Sequence, residues 1–163
     1  MIRIYRLVLI IGTVMGAAFL LSCGTGSTGT NEPPPLPTAT EGPVTLGVGA
    51  TSYHPDATFE VTLSNRDNQT IYFADQLTNC SVILLQRQVN GNWEDMDNCG
   101  LGILSAWHTL DPGKQLMVKL APHAGEHWPA GLYRARVRYR PSNNFSSLIT
   151  IYSAGFEVLQ ANY

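Results

Sequence analysis

The stretch LYRARVRYR, residues 132–140, alternates apolar and basic side chains without a break. Because successive side chains of a β-strand point to opposite faces, this alternation predicts a strand with one buried face and one wet face. Such a strand needs a second layer of structure to cover its apolar side. The buried face takes Tyr133, Ala135, Val137 and Tyr139, and the wet face takes the four residues that we call the arginine stripe, Arg134, Arg136, Arg138 and Arg140.

The same period of two recurs from about Val44 to the end of the chain. Strand-like segments such as TFEVTLS at 58–64 are separated by turn sequences rich in Gly, Pro and Asn, among them HPDA, NGN, DPGK and PAG. We therefore predict an all-β protein, an Ig-like antiparallel β-sandwich of about seven to nine strands. Residues 101–109, LGILSAWHT, fit either a strand or a helical turn.

The N-terminus has the order of a targeting segment. Two arginines precede the uncharged stretch Leu7–Leu21, whose 15 residues fall short of the roughly 20 that a spanning helix needs. The next residues, LLSC at 20–23, resemble the lipobox of bacterial lipoproteins. The resemblance implies that residues 1–22 are a signal peptide and that Cys23 carries the lipid and begins the mature chain. An ordinary secretory peptide or an uncleaved anchor is the alternative.

A lipid on Cys23 would hold the protein at a membrane. Two acyl chains give stable anchoring where one is marginal, so we expect a lipoprotein of the bacterial cell envelope that faces outside the cytoplasm. Residues 23–43 are dense in Gly, Thr and Pro, which predicts a flexible, disordered linker. The folded domain is then expected over residues 44–163.

Charge and motifs narrow the function. Removal of residues 1–22 leaves eight Lys and Arg against 12 Asp and Glu, a net charge of about −4, which argues against nucleic acid as a partner. No nucleophile motif such as G-x-S-x-G occurs. His123 and His127 have the spacing of a zinc-binding pair on a helix, but Gly125 and Pro129 make a helix there unfavourable. We expect a non-enzymatic protein without a catalytic site, a metal or a cofactor.

Cys80 and Cys99 are a predicted disulfide pair, because thiols outside the cytoplasm are usually oxidised. Closing this loop would stabilise the fold by roughly 3 kcal/mol. A hairpin that turns at Asn90-Gly91 would set residue 80 opposite residue 101, so the bridge requires a bulge or an irregular second arm. A metal site is the alternative, although two thiols without C-x-x-C spacing favour it less.

The second half of the chain contains L-x-P-G at 110–113, an apolar strand, PAGLYRARVRY at 129–139 and a closing F-x-V at 156–158. This order resembles bacterial immunoglobulin-like domains, including those similar to the intracellular proteinase inhibitors of Bacillus. The resemblance implies a sandwich in which the Tyr133 hydroxyl bonds back to the chain in a tyrosine corner. Ala135 stands where antibody domains place a Cys, so the antibody disulfide is absent.

Two sets of side chains are candidate binding residues. The arginine stripe spans about 20 Å and suits carboxylates, phosphates or an acidic partner. Its alternative is the wet side of a sheet, with the arginines paired to acids such as Glu60 or Glu157. Trp93 and Trp128 are candidate surface aromatics for stacking on a sugar or a protein, whereas Ig-like cores usually bury one or more such rings.

The leading functional hypothesis is therefore a lipid-anchored, non-enzymatic module that binds an envelope or extracellular protein or glycan. A proteinase inhibitor, whose exposed loop enters a protease cleft, is the first alternative and comes from the family resemblance. The second alternative is a carbohydrate-binding module that uses exposed tryptophan.

Overall fold

The computed structural model describes residues 35–74, 81–96, 107–141 and 147–161, all of which lie in one compact unit, Pro34–Tyr163. These residues form eleven strands and no helix, so the predicted all-β class is confirmed. The strands are β1 (Val44–Val48), β2 (Ser52–Tyr53), β3 (Phe59–Asn65), β4 (Ile71–Ala74), β5 (Leu84–Val89), β6 (Asn92–Asp95), β7 (Trp107–Leu110), β8 (Gln115–Leu120), β9 (Gly131–Tyr139), β10 (Ile149–Tyr152) and β11 (Phe156–Val158).

The strands form two sheets and a ribbon. The smaller sheet has the order β1-β3-β8, and the larger sheet has the order β2-β11-β9-β5-β6, with β10 paired to β9 beyond the end of β11. The described pairs are antiparallel except β2 with β11, which run parallel. β4 and β7 form a two-stranded ribbon, and a bridge between Tyr72 and Arg140 joins it to the end of β9.

The two sheets bury their inner faces against each other, as in a β-sandwich. Phe59 on β3 is fully buried, and its ring centroid lies 5.0 Å from that of Phe156 on β11 and 6.3 Å from that of Tyr133 on β9. The four apolar residues of β9 predicted to face inward are at most 6% exposed. The alternation predicted for residues 132–140 is therefore confirmed, and the arginine stripe lies on the outer face of the larger sheet.

The strand count exceeds the predicted seven to nine. One additional strand is β2, whose two residues are too few to show a period in the sequence. Another is β7, which covers the end of the stretch at 101–109 for which the sequence left strand and helical turn open. Residues 101–106 lie outside the described residues.

The hairpin between β5 and β6 turns where the sequence predicted. Asn90 and Gly91 have φ values of 50° and 82°, which is the pair of left-handed residues that a type I′ turn requires. The turn fixes the register, so that Gln86 on β5 stands opposite Asp95 on β6. Trp93 and Asp95 are thereby delivered to the outer face of the larger sheet, beside β5.

Part of the predicted linker is bonded to the sandwich. Residues 37–40, which we call the strap, run along β10: Gly155 N–H donates to the Pro37 carbonyl at 2.7 Å, and Thr40 N–H donates to the Tyr152 carbonyl at 3.0 Å. In return, Tyr152 N–H donates to Thr40 Oγ1 at 3.0 Å. A Cβ on residue 155 would collide with the Pro37 ring, so a glycine permits this approach. The strap therefore covers the outer edge of β10, whereas residues 23–34 of the predicted linker lie outside the described residues.

Tyr133 is anchored at the start of β9 as predicted. Its hydroxyl donates to the Pro129 carbonyl at 2.6 Å. Burial raises the pKa of Tyr133 to about 12, while the nearby Arg87 acts in the opposite direction. The hydroxyl therefore keeps its proton, and this hydrogen bond, at neutral pH.

Three predictions concern residues outside the described part of the chain. They are the signal peptide over residues 1–22, the lipid on Cys23 and the disulfide between Cys80 and Cys99. All three stay predictions.

Candidate binding face

The outer face of the larger sheet gathers side chains from four strands. Cross-strand register sets Gln86 opposite Arg134, Asp95 opposite Gln86, and Tyr152 opposite Arg136. Residues that stand opposite one another point to the same side of a sheet, so polar and aromatic groups of neighbouring strands surround the arginine stripe. We call this surface, made of the arginine stripe with Gln86, Trp93, Asp95 and Tyr152, the arginine face.

Arg134 is held between two aromatic rings. Its guanidinium carbon lies 3.8 Å from the ring centroid of Tyr152 and 4.2 Å from that of Trp93, within the range of a cation–π contact. Its Nε–H donates to Gln86 Oε1 at 2.9 Å. Burial lowers the pKa of Arg134; the Tyr152 side chain opposes this shift and the neighbouring Arg136 adds to it.

Arg136 is paired to an acid. Its Nη2 donates to Asp95 Oδ2 at 2.9 Å, and Gln86 Nε2 donates to Asp95 Oδ1 at 2.9 Å. The Arg136 side chain is only 13% exposed, and Gln86 is buried. Both oxygens of the Asp95 carboxylate are therefore engaged, and Gln86 connects this ion pair to Arg134.

The other two arginines have different surroundings. Arg138 is exposed, stands opposite Thr150 on β10, and makes no side-chain hydrogen bond or ion pair with the residues that the structure describes. The guanidinium carbon of Arg140 lies 5.7 Å from the ring centroid of Trp107. The four arginines of the stripe thus have four different sets of neighbours.

The acids named from the sequence as partners of the stripe are not the ones found. Glu60 lies on the smaller sheet, where its carboxylate pairs with Lys119 at 3.1 Å. Glu157 stands opposite Leu132, beyond the stripe. Among the described residues, the acid that pairs with the stripe is Asp95, which the hairpin brings to the same face on the far side of β5.

The tryptophans also differ from expectation. Trp128, predicted as a surface aromatic, stacks on Phe59 with ring centroids 5.0 Å apart and donates its indole N–H to the Ala57 carbonyl at 3.0 Å. It is half-buried and packs against the core. Trp93 is half-buried against Arg134, whereas Trp107, which the sequence did not single out, is 51% exposed. No sequence signal marked Trp107, since it lies in the ambiguous stretch at 101–109.

Other features of the described residues offer less chemistry. Within those residues, no group of three or more His, Cys, Asp and Glu side chains is placed to hold a metal ion. A cleft of about 340 Å³ is lined by Phe73, Leu110, Leu116 and Val118 with polar neighbours, and none of its described lining residues is an acid, a lysine or an arginine. No helix in the described ranges is both long and apolar enough to cross a membrane.

The sequence matches no protein-family profile, and no curated protein matches it significantly.

Proposed function

We propose that this protein is a lipid-anchored, non-enzymatic, Ig-like module of the bacterial cell envelope that binds an anionic partner through its arginine face. The anchor in this proposal is Cys23 of the lipobox-like sequence LLSC. The partner is an extracellular or envelope molecule, and the domain presents its binding residues on a rigid sheet.

The strand order supports the Ig-like type. Ig domains place strands A, B and E in one sheet and strands C, F and G in the other, and variable-type domains add C′ beside C. The orders β1-β3-β8 and β11-β9-β5-β6 correspond to A-B-E and G-F-C-C′. The hydrogen bond from the Tyr133 hydroxyl to Pro129, at the start of the strand corresponding to F, agrees with a tyrosine corner.

The observation on which the binding proposal depends is the concentration of positive charge. The whole chain has 10 Lys and Arg, and four of them lie at alternate positions between residues 134 and 140, on one outer face. Among the described residues, Arg136 pairs with Asp95, whereas Arg138 is exposed and makes no ion pair. In a chain with an overall negative charge, this face attracts anions that the rest of the surface repels.

The test uses a matched pair of charge reversals in the full chain. Arg138→Glu reverses an exposed charge on the arginine face, and Arg66→Glu reverses an exposed arginine at the end of β3 whose side chain likewise has no partner among the described residues. We expect polygalacturonate, polyphosphate or polyglutamate to bind the unmodified chain, and Arg138→Glu to weaken that binding more than Arg66→Glu. Equal affinities for both variants, or no binding of any polyanion, contradict the proposal.

A separate experiment tests the anchor. Cys23→Ala should shift the protein from the membrane fraction to the soluble fraction or leave the precursor unprocessed, because position 23 then has no thiol to receive the lipid. Unchanged membrane retention of a processed chain would remove the anchor from the proposal.

A further inference from the structure

We infer that Arg134, clamped between Trp93 and Tyr152, forms a binding subsite for the carboxylate of an acidic linear polysaccharide. This inference rests on the proposed function and narrows it, because it names the arginine that contacts the anion and the class of ligand.

The subsite consists of the terminal amino groups of Arg134. The rings of Tyr152 and Trp93 lie 3.8 Å and 4.2 Å from the guanidinium carbon and Nε is bonded to Gln86, so the terminal amino groups are the donors left for a ligand. These groups make no hydrogen bond with the residues that the structure describes. They are also absent from the buried polar atoms that lack a partner, so solvent reaches them. A planar fork of N–H donors that is open at its edge matches a carboxylate bidentately.

The contacts of Arg134 with Trp93 and Tyr152 lower the conformational entropy that the arginine loses on binding an anion. A free arginine side chain loses rotamer freedom when it grips an anion, whereas Arg134 is already fixed by two rings and one hydrogen bond. Asp95 makes no ion pair with Arg134, and its two oxygens accept hydrogen bonds from Arg136 and Gln86. Arg134 therefore offers a fixed, partly desolvated positive charge that has no acidic partner among the described residues.

The surroundings favour a sugar polymer over an isolated ion. The partly exposed rings of Trp93 and Tyr152 border the cation, so apolar surface that a sugar ring can contact lies beside the charge. Along the same strand, Arg138 lies about 13 Å from Arg134, by the rise of an extended chain. A linear chain of uronate sugars presents carboxylates at intervals on a rigid backbone, so one chain along β9 could engage both arginines.

The experiment, in the full chain, separates the effect of the guanidinium shape on binding from the effect of its positive charge. Arg134→Lys keeps the charge but loses the fork and the flat stacking surface, and Arg138→Lys makes the same change at the exposed position. With oligogalacturonate as the probe in calorimetric titration, we expect Arg134→Lys to bind about tenfold more weakly and Arg138→Lys to change affinity by less than about threefold. Equal losses in the two variants overturn the assignment of the subsite.

A second measurement needs no substitution. In the unmodified chain, the Nε–H resonance of Arg134 should shift as oligogalacturonate is added, and a neutral cello-oligosaccharide should leave it unmoved. An unmoved Arg134 signal at saturation overturns the subsite, even where Arg134→Lys fails to fold. Polyglutamate that binds as tightly as oligogalacturonate overturns the ligand class. If Arg138→Glu still weakens polyanion binding in either case, the proposed function stands without this subsite.

Discussion

The two faces of β9 come from one alternating sequence, but different forces fix them. On the inner face, Tyr133, Ala135, Val137 and Tyr139 are all nearly inaccessible, so burial places them, and a hydrogen bond to Pro129 also anchors Tyr133. On the outer face, each arginine has its own partners, from a ring clamp to open solvent. Alternation therefore determines which side of the sheet a residue occupies, whereas cross-strand neighbours determine what a charged residue on that side does.

We expect the largest change in the free energy of unfolding for the inner face, at alkaline pH. The pKa of Tyr133 is about 12 in the folded protein, above the value near 10 of an unfolded tyrosine, so only the folded state keeps this proton between pH 10 and 12. We expect the free energy of unfolding, measured in urea, to be unaffected by this group below pH 10 and to fall by roughly 2–3 kcal/mol as the pH rises to 12.

Tyr133→Phe is the control for this alkaline loss. It should show a smaller fall over the same range. Part of the fall should remain, because burial first and Asp67 second also raise the pKa of Tyr139. A variant with the same pH dependence as the unmodified chain would show that Tyr133 is not responsible.

The outer face should respond to loss of its ion pair. Arg136→Met keeps the stem of the side chain and removes the hydrogen bond to Asp95, which leaves that carboxylate with Gln86 as its described donor. Because the arginine is only 13% exposed but Asp95 is 39% exposed, we expect a loss of about 1–2 kcal/mol in urea unfolding. A loss below about 0.3 kcal/mol would mean that the network on the outer face is not held by this pair.

The strap should contribute less, through Tyr152. Thr40→Val removes the oxygen that accepts the Tyr152 N–H, so amide exchange at Tyr152 should accelerate, with a loss of stability of about 0.5–1.5 kcal/mol. Exchange at Gly155, which donates to the Pro37 carbonyl, is the internal reference and should change less. Thr40→Ser keeps the oxygen and should restore protection. Equal exchange rates at Tyr152 in all three proteins would contradict a bonded strap.

The smallest effect is expected for the ion pair on the smaller sheet. Lys119 and Glu60 are 67% and 51% exposed at the side chain and have no further described partner, so Lys119→Met should cost at most about 0.5 kcal/mol. The same substitution type at Arg136 and Lys119 thus compares a connected pair with an isolated one. Equal losses at the two sites would show that connection to Gln86 adds nothing.

Local patterns were enough to predict the strands and the turn at Asn90-Gly91. The period of two places side chains on faces, and the dipeptide supplies the two left-handed residues that the turn needs. The arginine stripe was likewise visible in the sequence. Its partner Asp95 was not, because the pairing depends on which strand lies between, a long-range property of the sheet.

The contacts of Trp128 and of the strap, like that of Asp95, depend on residues far apart in the sequence. Trp128 packs on Phe59 because the loop before β9 closes over the start of β3, which no local pattern encodes. The hydrogen bonds of residues 37–40 to the sandwich were not predicted either, because their close approach depends on Gly155, more than a hundred residues away.

The strap has a mechanical consequence. Residues 37–40 precede β1 and run antiparallel to the segment from Tyr152 to Gly155. A force that pulls the N-terminal side away from the sheet therefore acts first on the hydrogen bond between Gly155 and Pro37. It acts on the two hydrogen bonds of Thr40 afterwards. Bonds peeled in sequence yield at a lower force than bonds that share the load. Each residue released lengthens the chain by up to about 3.6 Å before the force reaches β1. The strap can therefore detach under force while the core stays folded.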